Sequence, residues 1–377
     1  MTETDRDEVR VGVVGCGGFG LYALQQFVQV PGVRLVAMAG TAREASIAAA
    51  KRYGIPDVEA VDSLLAREDV DLVYISTPPF LHHDQAIRAL RAGKHVVCEK
   101  PLAMTLEQAD EMIAEARRAD RLLTANLMQR YNPVYDAVSR LIADKVLGEP
   151  IHGFFENYAS DENLGPGHWF WDRSKSGGIF IEHGVHFFDL FAGWLGEGRV
   201  VAAQRGLRPG SPTPIEEQVQ CSVRYANDVL INFYHGFHQP GRMDRQELRI
   251  VFERGDVTLF GWIPTVVKVH AVADEAQTRA LCDLFPGARL DCTTTYAPKD
   301  RSCAARHKSL DVYQTLELTW GEGVVKSHRY GELLRSVMAD QVAWIRDRSH
   351  RRVITESNGR DSLGLACEAD RLAQASA

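Results

Sequence analysis

The sequence predicts an α/β protein whose N-terminal part is a doubly wound parallel sheet. Short valine-rich runs alternate with helix-like segments up to about residue 127, a pattern typical of parallel strands joined by crossover helices. A glycine-rich turn follows the first of these runs directly. At 377 residues the chain is too long for one ordinary hydrophobic core, so we expect a second domain.

The first strand is predicted over residues 9–14 and the first helix over residues 21–28. Between them, Gly15, Gly17 and Gly20 form the pattern G-x-G-x-x-G, which in this setting indicates a dinucleotide site. Gly15 permits the tight turn, Gly17 lets the backbone approach a pyrophosphate, and Gly20 allows the helix to pack closely on the strand. A glycine-rich turn without a ligand is the alternative. The cofactor-binding residues predicted here are Gly15, Gly17, Gly18, Phe19 and Gly20.

The second strand, residues 33–39, ends where an NAD site would carry an Asp or Glu for the ribose 2′-hydroxyl. This chain continues with Gly40, Thr41, Ala42 and Arg43 instead. No carboxylate stands at the strand end to repel a 2′-phosphate, while Arg43 can pair with one and Thr41 can donate a hydrogen bond to it. The sequence therefore favours NADP(H) over NAD(H) as cofactor. Thr41 also has the spacing of a helix capping box with Glu44.

A third strand is predicted over residues 71–76, followed by a loop with two consecutive prolines and a helix that runs to Gly93. The prolines hold this loop extended, which suits a wall against a flat ring. We therefore expect Thr77 and Pro78 to contact the cofactor. His82 either reaches a cofactor phosphate or ribose, or is a helix-start histidine without a ligand.

The fourth strand, residues 94–98, ends in Glu99, Lys100 and Pro101. Proline has no N–H and cannot continue a ladder, so the two charges stand at the end of a strand. In an open α/β sheet these ends face the ligand crevice, and Lys100 is therefore aimed where chemistry would occur. Glu99 would orient Lys100 or the nicotinamide side of the cofactor. The alternative is a surface ion pair in a turn.

The order of these features resembles the glucose-fructose oxidoreductase, inositol dehydrogenase and MocA family. The matching pieces are Gly15 to Gly20, Thr77-Pro78 with Leu81-His82, residues 92–96, and Glu99 to Pro101. The resemblance implies a Rossmann domain joined to an α/β domain with a large, open, mostly antiparallel sheet. It also implies oxidoreductases that act on sugars, cyclitols and related hydroxy or keto compounds. Because an open apolar sheet face requires a partner, a homodimer or homotetramer is expected.

The expected division is a Rossmann domain over residues 1–129 and a substrate-binding and oligomerisation domain over residues 130–377. Alternating apolar stretches at residues 219–225, 229–235 and 247–252 predict antiparallel strands in this second part. In the family, the last helix, here about residues 359–374, packs back near the Rossmann domain. The segment 273–309 shows no periodicity, and a lid or an inserted cap is considered for it.

A second cluster of chemistry-bearing residues lies between Ile179 and Leu190. If this stretch is a helix, Glu182, His186 and Asp189 share one face, and a His beside carboxylates can act as a base near neutral pH. A satisfied helix network is the alternative. The family carries Asp-x-Gly-x-His here, which Glu182 and His186 match with one added methylene.

Further site residues come from the resemblance alone. It implies that Arg130, Asn157 and Tyr234 line the substrate pocket. With Glu182, His186 and Asp189 they complete the predicted substrate-binding set. The stretch from Trp169 to Asp172 is similar to the family's Trp-Arg-x-Asp, but Phe170 stands in place of the guanidinium.

The predicted reaction is hydride transfer between a nicotinamide ring and a carbon that bears a hydroxyl or keto oxygen. His186 is the candidate general acid/base, Lys100 would stabilise negative charge on the reacting oxygen, and Glu182 would hold His186 or bind substrate. Two other functions stay open. One is a redox-neutral glycosidase, epimerase or dehydratase, and the other is a nucleotide-sensing regulator without catalysis.

The composition of the chain argues against a nucleic-acid-binding, membrane-inserted or metal-binding protein. The chain has 43 basic and 50 acidic side chains, a net charge of −7 and no basic tract, so nucleic acid is not expected as a partner. A polar first segment and the lack of an apolar run near ~20 residues predict a cytoplasmic protein without membrane insertion. Seven cysteines without a C-x-x-C pair indicate reduced thiols, and no metal site is expected.

Overall fold

The computed structural model describes residues 8–40, 43–55 and 58–375. They form two compact units. The first unit comprises Met1–Tyr131, Pro166–Asp189 and Gly331–Cys367, and the second comprises Asn132–Gly165, Leu190–Tyr330 and Glu368–Ala377. The first boundary follows Tyr131, two residues after the predicted one, and two later segments of the chain join the first unit.

The strands and helices are numbered here in chain order. The strands are β1 Val9–Val14, β2 Val33–Ala39, β3 Val58–Glu59, β4 Leu72–Ile75, β5 His95–Cys98, β6 Leu123–Ala125, β7 Pro150–Ser160, β8 Arg199–Leu207, β9 Glu216–Arg224, β10 Leu230–Gln239, β11 Arg245–Phe252, β12 Gly255–Phe260, β13 Val266–Ala273, β14 Arg289–Thr295, β15 Ser302–Ala305, β16 Lys308–Asp311 and β17 Gln314–Trp320. The α-helices are α1 Gly18–Phe27, α2 Arg43–Arg52, α3 Val61–Ala66, α4 His82–Arg91, α5 Leu106–Ala119, α6 Pro133–Ala143, α7 Arg173–Ser176, α8 Val185–Leu195, α9 Glu275–Leu284, α10 Lys326–Arg346 and α11 Glu356–Ala375.

The first unit is built on a six-stranded parallel sheet in the order β3-β2-β1-β4-β5-β6. Strands β4 and β5 are buried along their whole length, as expected for parallel strands covered on both faces. Val14 pairs with Ile75, and Ile75 pairs with Cys98, so β1, β4 and β5 end side by side. The loops that follow these three strands therefore start from one edge of the sheet, which confirms the predicted doubly wound fold.

The C-terminal helices add to this first unit. Arg360 on α11 forms an ion pair with Asp110 on α5 at 2.5 Å. A Cβ atom on Gly359 would lie only 3.0 Å from Ala125 and 3.2 Å from Leu102. The part of α11 up to Cys367 therefore packs closely on α5 and the end of β6.

The second unit contains a nine-stranded sheet in the order β14-β17-β13-β12-β11-β7-β10-β9-β8. Only β7 and β10 pair in parallel among its described neighbours, and every other pair is antiparallel. The large, mostly antiparallel sheet is thus confirmed. The segment 273–309, for which a lid or an inserted cap was considered, forms α9, β14, β15 and the start of β16.

Two sequence expectations concern absences. Within residues 8–40, 43–55 and 58–375, no helix has the length and apolar character that crossing a membrane requires. The same described ranges contain no group of three or more His, Cys, Asp or Glu side chains arranged to hold a metal ion.

Candidate functional site

The turn after β1 is shaped by contacts with the end of β4. Gly15 has a φ of +97°, and a Cβ atom there would lie 2.6 Å from the carbonyl carbon of Ser76. The Ser76 hydroxyl donates to the Gly15 carbonyl oxygen at 2.6 Å. A Cβ atom on Gly20 would approach that same oxygen to 2.1 Å. Glycine is therefore required at both positions by the packing of the protein itself.

Gly17 and Gly18 are not constrained by packing against the described residues but border open space. In the part of the chain that the structure describes, a Cβ atom on either residue would meet no other atom within 4 Å. Gly17 precedes the first residue of α1, and the first turn of this helix carries no acidic side chain. Open space beside the amino end of a helix fits the pyrophosphate of a dinucleotide, which needs backbone N–H groups and the absence of negative charge.

A cavity of about 640 Å³ lies along this turn. Its volume falls in the range of small-molecule sites. Thr77 and Pro78, both predicted to contact the cofactor, are part of its wall. The whole lining is Val14, Gly15, Cys16, Gly17, Gly18, Phe19, Gly20, Ala39, Gly40, Ala60, Val61, Ser76, Thr77, Pro78, Leu81, Gln85, His168 and Trp169.

Several lining residues were not among the predicted cofactor contacts, and three of them carry polar or aromatic side chains of interest: Gln85, His168 and Trp169. Gln85 accepts a hydrogen bond from the Thr77 hydroxyl at 2.7 Å. His168 and Trp169 come from a segment about 150 residues after the glycine turn, and the only signal for them was the Trp-x-x-Asp pattern. Phe170, which replaces an arginine of that pattern, is buried beside the Trp171 ring instead of lining the cavity.

The structure does not describe the side chains that were predicted to contact a 2′-phosphate. Thr41 lies outside the described residues, and for Arg43 only the backbone, as the first residue of α2, is described. Gly40, at the end of β2, does line the cavity. The preference for NADP(H) accordingly stays a prediction.

His82 is fully buried. Its Nδ1 lies 2.7 Å from the carbonyl oxygen of Pro101, and its Nε2 lies 2.8 Å from that of Thr77. Burial lowers the pKa of this imidazole below its ordinary value. Both ring nitrogens contact main-chain carbonyl groups, which agrees with the alternative of a helix-start histidine without a ligand.

Glu99 is also buried, beneath the turn that carries Lys100. Its carboxylate accepts hydrogen bonds from the Tyr74 hydroxyl and from Asn126 Nδ2, the latter at 2.6 Å. Its other oxygen lies 3.3 Å from the Lys100 backbone nitrogen. Burial raises the pKa of this carboxyl group despite these donors. Of the two roles predicted for Glu99, its contacts correspond to orienting Lys100.

Lys100 meets Glu182, which lies 82 residues later in the sequence. The ammonium Nζ donates to Glu182 Oε1 at 2.6 Å and to the Glu182 carbonyl oxygen at 2.9 Å. Both side chains are largely buried, with 17% and 11% of their surface exposed. Among the described residues, these two oxygens account for two of the three ammonium N–H groups, so one remains for a ligand.

Glu182 lies in a π-helical turn, Phe180–Gly184, that leads directly into α8. The single α-helix expected over this stretch is therefore interrupted, and a π turn is common at functional sites. His186, in the first turn of α8, is 3% exposed. Burial and the nearby Lys100 ammonium hold the pKa of His186 well below its ordinary value. The imidazole is thus neutral at physiological pH and can accept a proton.

Arg130 and Asp189, both predicted to bind substrate, are joined to each other. The guanidinium donates to both carboxylate oxygens at 2.7 and 2.8 Å and to the Asp189 carbonyl oxygen at 2.8 Å. Asn358 Nδ2 donates to the same carboxylate at 3.2 Å. Burial raises the pKa of Asp189 against the effect of Arg130. This bidentate pair uses the polar atoms of Asp189 within the protein.

Asn157 and Tyr234 belong to the second unit and lie on opposite faces of its sheet. Asn157 on β7 pairs with His235 on β10, so Tyr234 points to the other side. Asn157 is buried, and neither polar atom of its side chain has a hydrogen-bond partner among the described residues. The Tyr234 hydroxyl donates to Gln218 Oε1 at 2.7 Å. The two side chains therefore lie on opposite faces of the sheet, and the substrate contacts expected of them stay predictions.

Comparison with known proteins agrees with this architecture. Residues 9–127 match the GFO_IDH_MocA model, described as an oxidoreductase family with an NAD-binding Rossmann fold. Residues 135–258 match the GFO/IDH/MocA C-terminal domain. The chain is 33% identical to the 1,5-anhydro-D-fructose reductase of Ensifer adhaerens over 60% of its own length and 69% of the relative's length. The chain belongs to the GFO/IDH/MocA oxidoreductase family.

Solved structures share the fold of this GFO/IDH/MocA chain over nearly its full length. A levoglucosan dehydrogenase, in complex with NADH and levoglucosan, has a TM-score of 0.75 and 20% identity over 98% of each chain. The biliverdin reductase of Synechocystis sp. PCC 6803, in complex with biliverdin and NADP+, has a TM-score of 0.69 and 19% identity over 97% of this chain and 98% of that one. At such identity the likeness establishes the fold alone. Several other curated relatives are matched over about half of their length.

Proposed function

We propose that this protein is an oxidoreductase that transfers a hydride between a nicotinamide dinucleotide and a hydroxyl or keto carbon of a sugar, cyclitol or related compound. The observation that carries this proposal is the buried Lys100–Glu182 pair beside the neutral His186. These residues belong to the same unit as the glycine turn and its cavity. The kinship with 1,5-anhydro-D-fructose reductase supports a carbohydrate-like substrate.

The cofactor, when bound, donates or accepts the hydride. The N–H groups after Gly17 would bind its pyrophosphate, and the extended Thr77–Pro78 loop forms a wall of the same cavity. Glu99 holds the Lys100 backbone from beneath. These contacts would place the cofactor and Lys100 for reaction, and holding the reacting groups in a fixed geometry supplies much of the rate enhancement of a two-substrate reaction.

Lys100 and His186 have different roles at the reacting oxygen: Lys100 stabilises its charge, and His186 transfers its proton. The free N–H of the Lys100 ammonium donates to this oxygen and stabilises the negative charge that develops on it. Glu182 fixes the position of Nζ through two contacts. Neutral His186 takes the hydroxyl proton during alcohol oxidation and becomes an imidazolium, and in ketone reduction this protonated ring returns the proton to the oxygen. Asn157 is kept as a substrate-binding candidate, because its buried amide fits a ligand with both donor and acceptor groups.

We further infer that NADP(H) is bound in preference to NAD(H). The support is the absence of an acidic side chain directly after β2 and the presence of Thr41 and Arg43. The expected result is tighter binding of NADPH than of NADH, measured through the fluorescence of the reduced ring. Arg43→Ala should remove most of this difference, whereas equal affinities in the wild type would contradict the inference.

The proposed reaction is tested by identifying the nucleotide that copurifies with the protein and then screening polyols and ketones. Oxidation or reduction of the nucleotide, followed at about 340 nm, should accompany turnover of at least one compound class. Turnover without net change at that wavelength, with retained cofactor, would instead establish a redox-neutral enzyme. Nucleotide-dependent binding of a protein partner without any turnover would establish a regulator.

A further inference from the structure

The His82 ring lies between two loops with different tasks. The loop after β4 carries Thr77, part of the cavity wall. The turn after β5 carries Lys100, which is followed directly by Pro101. His82 contacts the Thr77 carbonyl oxygen on one side of its ring and the Pro101 carbonyl oxygen on the other, at 2.8 and 2.7 Å. A single buried side chain thus joins the cofactor wall to the lysine turn.

A neutral imidazole cannot donate a hydrogen bond to both of these carbonyl oxygens at once. Carbonyl oxygens only accept hydrogen bonds, and a neutral imidazole has only one N–H to donate. Burial and the Lys100 charge keep the ring neutral at physiological pH, although both carbonyl groups favour the second proton. The single N–H therefore serves one loop or the other, and a shift of either loop changes which carbonyl group receives it.

The segment around His82 is otherwise well fixed. His82 is the first residue of α4, directly after the 3-10 turn Pro79–Leu81. Three residues later on the same helix, Gln85 accepts from the Thr77 hydroxyl. Thr77 is therefore held to α4 through both its carbonyl and its hydroxyl group. On the β5 side, the Pro101 carbonyl oxygen is the point at which α4 holds the Lys100 turn.

We propose that His82 is a positioning residue that couples the cofactor wall at Thr77 to the Lys100–Pro101 turn. This inference rests on the proposed hydride transfer for its catalytic consequence, but its binding consequence stands alone. His82 is fully buried and is not part of the lining of the cavity at the glycine turn. Its loss should weaken nucleotide binding through Thr77 and slow the chemical step through Lys100.

The test compares His82→Leu with His83→Leu, a matched change at the neighbouring histidine, which pairs with the exposed Glu111 on the surface. His82→Leu should weaken NADPH binding about tenfold, the equivalent of one lost hydrogen bond. It should also lower kcat about 100-fold while the substrate KM changes little, because Lys100 is displaced. His82→Gln, which keeps N–H donors, should recover most of both losses, and His83→Leu should resemble the wild type.

A lower melting temperature with unchanged NADPH affinity and kcat would overturn the proposal, since that is the result of a merely structural role. If His82→Leu does not fold, hydrogen–deuterium exchange of the wild type decides. Binding of 2′-phospho-ADP-ribose, which has no nicotinamide ring, should slow exchange in both residues 77–82 and residues 99–104. Protection confined to the first segment would contradict the coupling. Binding without turnover of any hydroxyl or keto compound would refute the proposed reaction while these measurements still test His82.

Discussion

At the scale of single residues, the site depends on how burial and charge set protonation. Lys100 keeps a carboxylate partner, Glu182, at 2.6 Å. His186 is buried near the same ammonium, which disfavours a second positive charge. One group is thus available as a cation and the other as a neutral base, which is the division that oxidation of an alcohol requires.

The pH dependence of alcohol oxidation should report this division. Protonation of His186 removes the base, so activity is present above its pKa and falls as the pH drops through it. Because that pKa is lowered, the acidic limb of kcat/KM should lie well below pH 6.5, the ordinary value for a histidine. His186→Gln should abolish most activity and this limb with it. A wild-type limb above pH 6.5 would contradict the assignment.

The Lys100 turn could be predicted from sequence, whereas its partner contact could not. Pro101 has no N–H and cannot extend a strand, β5 ends three residues before it, and strand ends in a parallel sheet share one edge. Glu182, however, reaches Lys100 across 82 residues and from a π-helical turn, which spacing alone does not reveal. His82 was ambiguous for a similar reason, because its two carbonyl partners lie on separate loops.

At the scale of elements, the glycine turn shows that one motif contains two kinds of glycine. Gly15 is constrained by Ser76, and Gly20 by Gly15 and Ser76, while Gly17 and Gly18 border open space. The strand–turn–helix pattern was sufficient to place the turn. Which glycines are required by packing and which face a ligand depends on tertiary distances that a sequence does not contain.

Two alanine substitutions should separate these roles. Gly20→Ala places a Cβ atom 2.1 Å from the Gly15 carbonyl oxygen, so we expect a loss of about 1–3 kcal/mol in the free energy of unfolding. Gly17→Ala should leave stability within about 0.5 kcal/mol of the wild type but weaken nucleotide binding at least about tenfold. Urea denaturation and NADPH titration provide the two readouts. Equal effects on stability would contradict the distinction.

In the sheet of the second unit, the strands could be predicted from sequence but their register could not. Alternation within β7 and β10 was readable, but their parallel register sets Asn157 opposite His235. A shift of one residue moves a side chain to the other face, so Tyr234 and Asn157 could not be assigned to faces from sequence. Buried Asn157 and half-buried Tyr234 consequently belong to different surfaces of one sheet.

At the scale of the whole molecule, the nine-stranded sheet leaves aromatic side chains on its less buried face. Tyr158 and Tyr234 lie there with ring centroids 5.3 Å apart, and the Phe154 ring contacts the Arg249 guanidinium. A patch of this kind commonly marks a protein interface. This observation supports the expectation of a homodimer or homotetramer.

Sedimentation velocity should therefore give a mass of two or four times 42.0 kDa. Phe154→Glu should shift the population toward single chains, because it places a charge in the proposed contact face. Glu197→Ala, at an exposed position, should leave the mass unchanged. A single-chain mass for the wild type at micromolar concentration would refute the assembly.

Lys100→Met tests the central claim most directly, since it removes the ammonium and keeps an unbranched side chain. Turnover should fall about 100- to 1000-fold, the usual cost of losing one donor to a developing oxyanion. The Kd for NADPH should stay within about twofold of the wild type, because the glycine turn and its cavity are unchanged. Lys175→Met, at a half-exposed lysine of the same unit, serves as the control. Unchanged turnover in Lys100→Met would contradict the account.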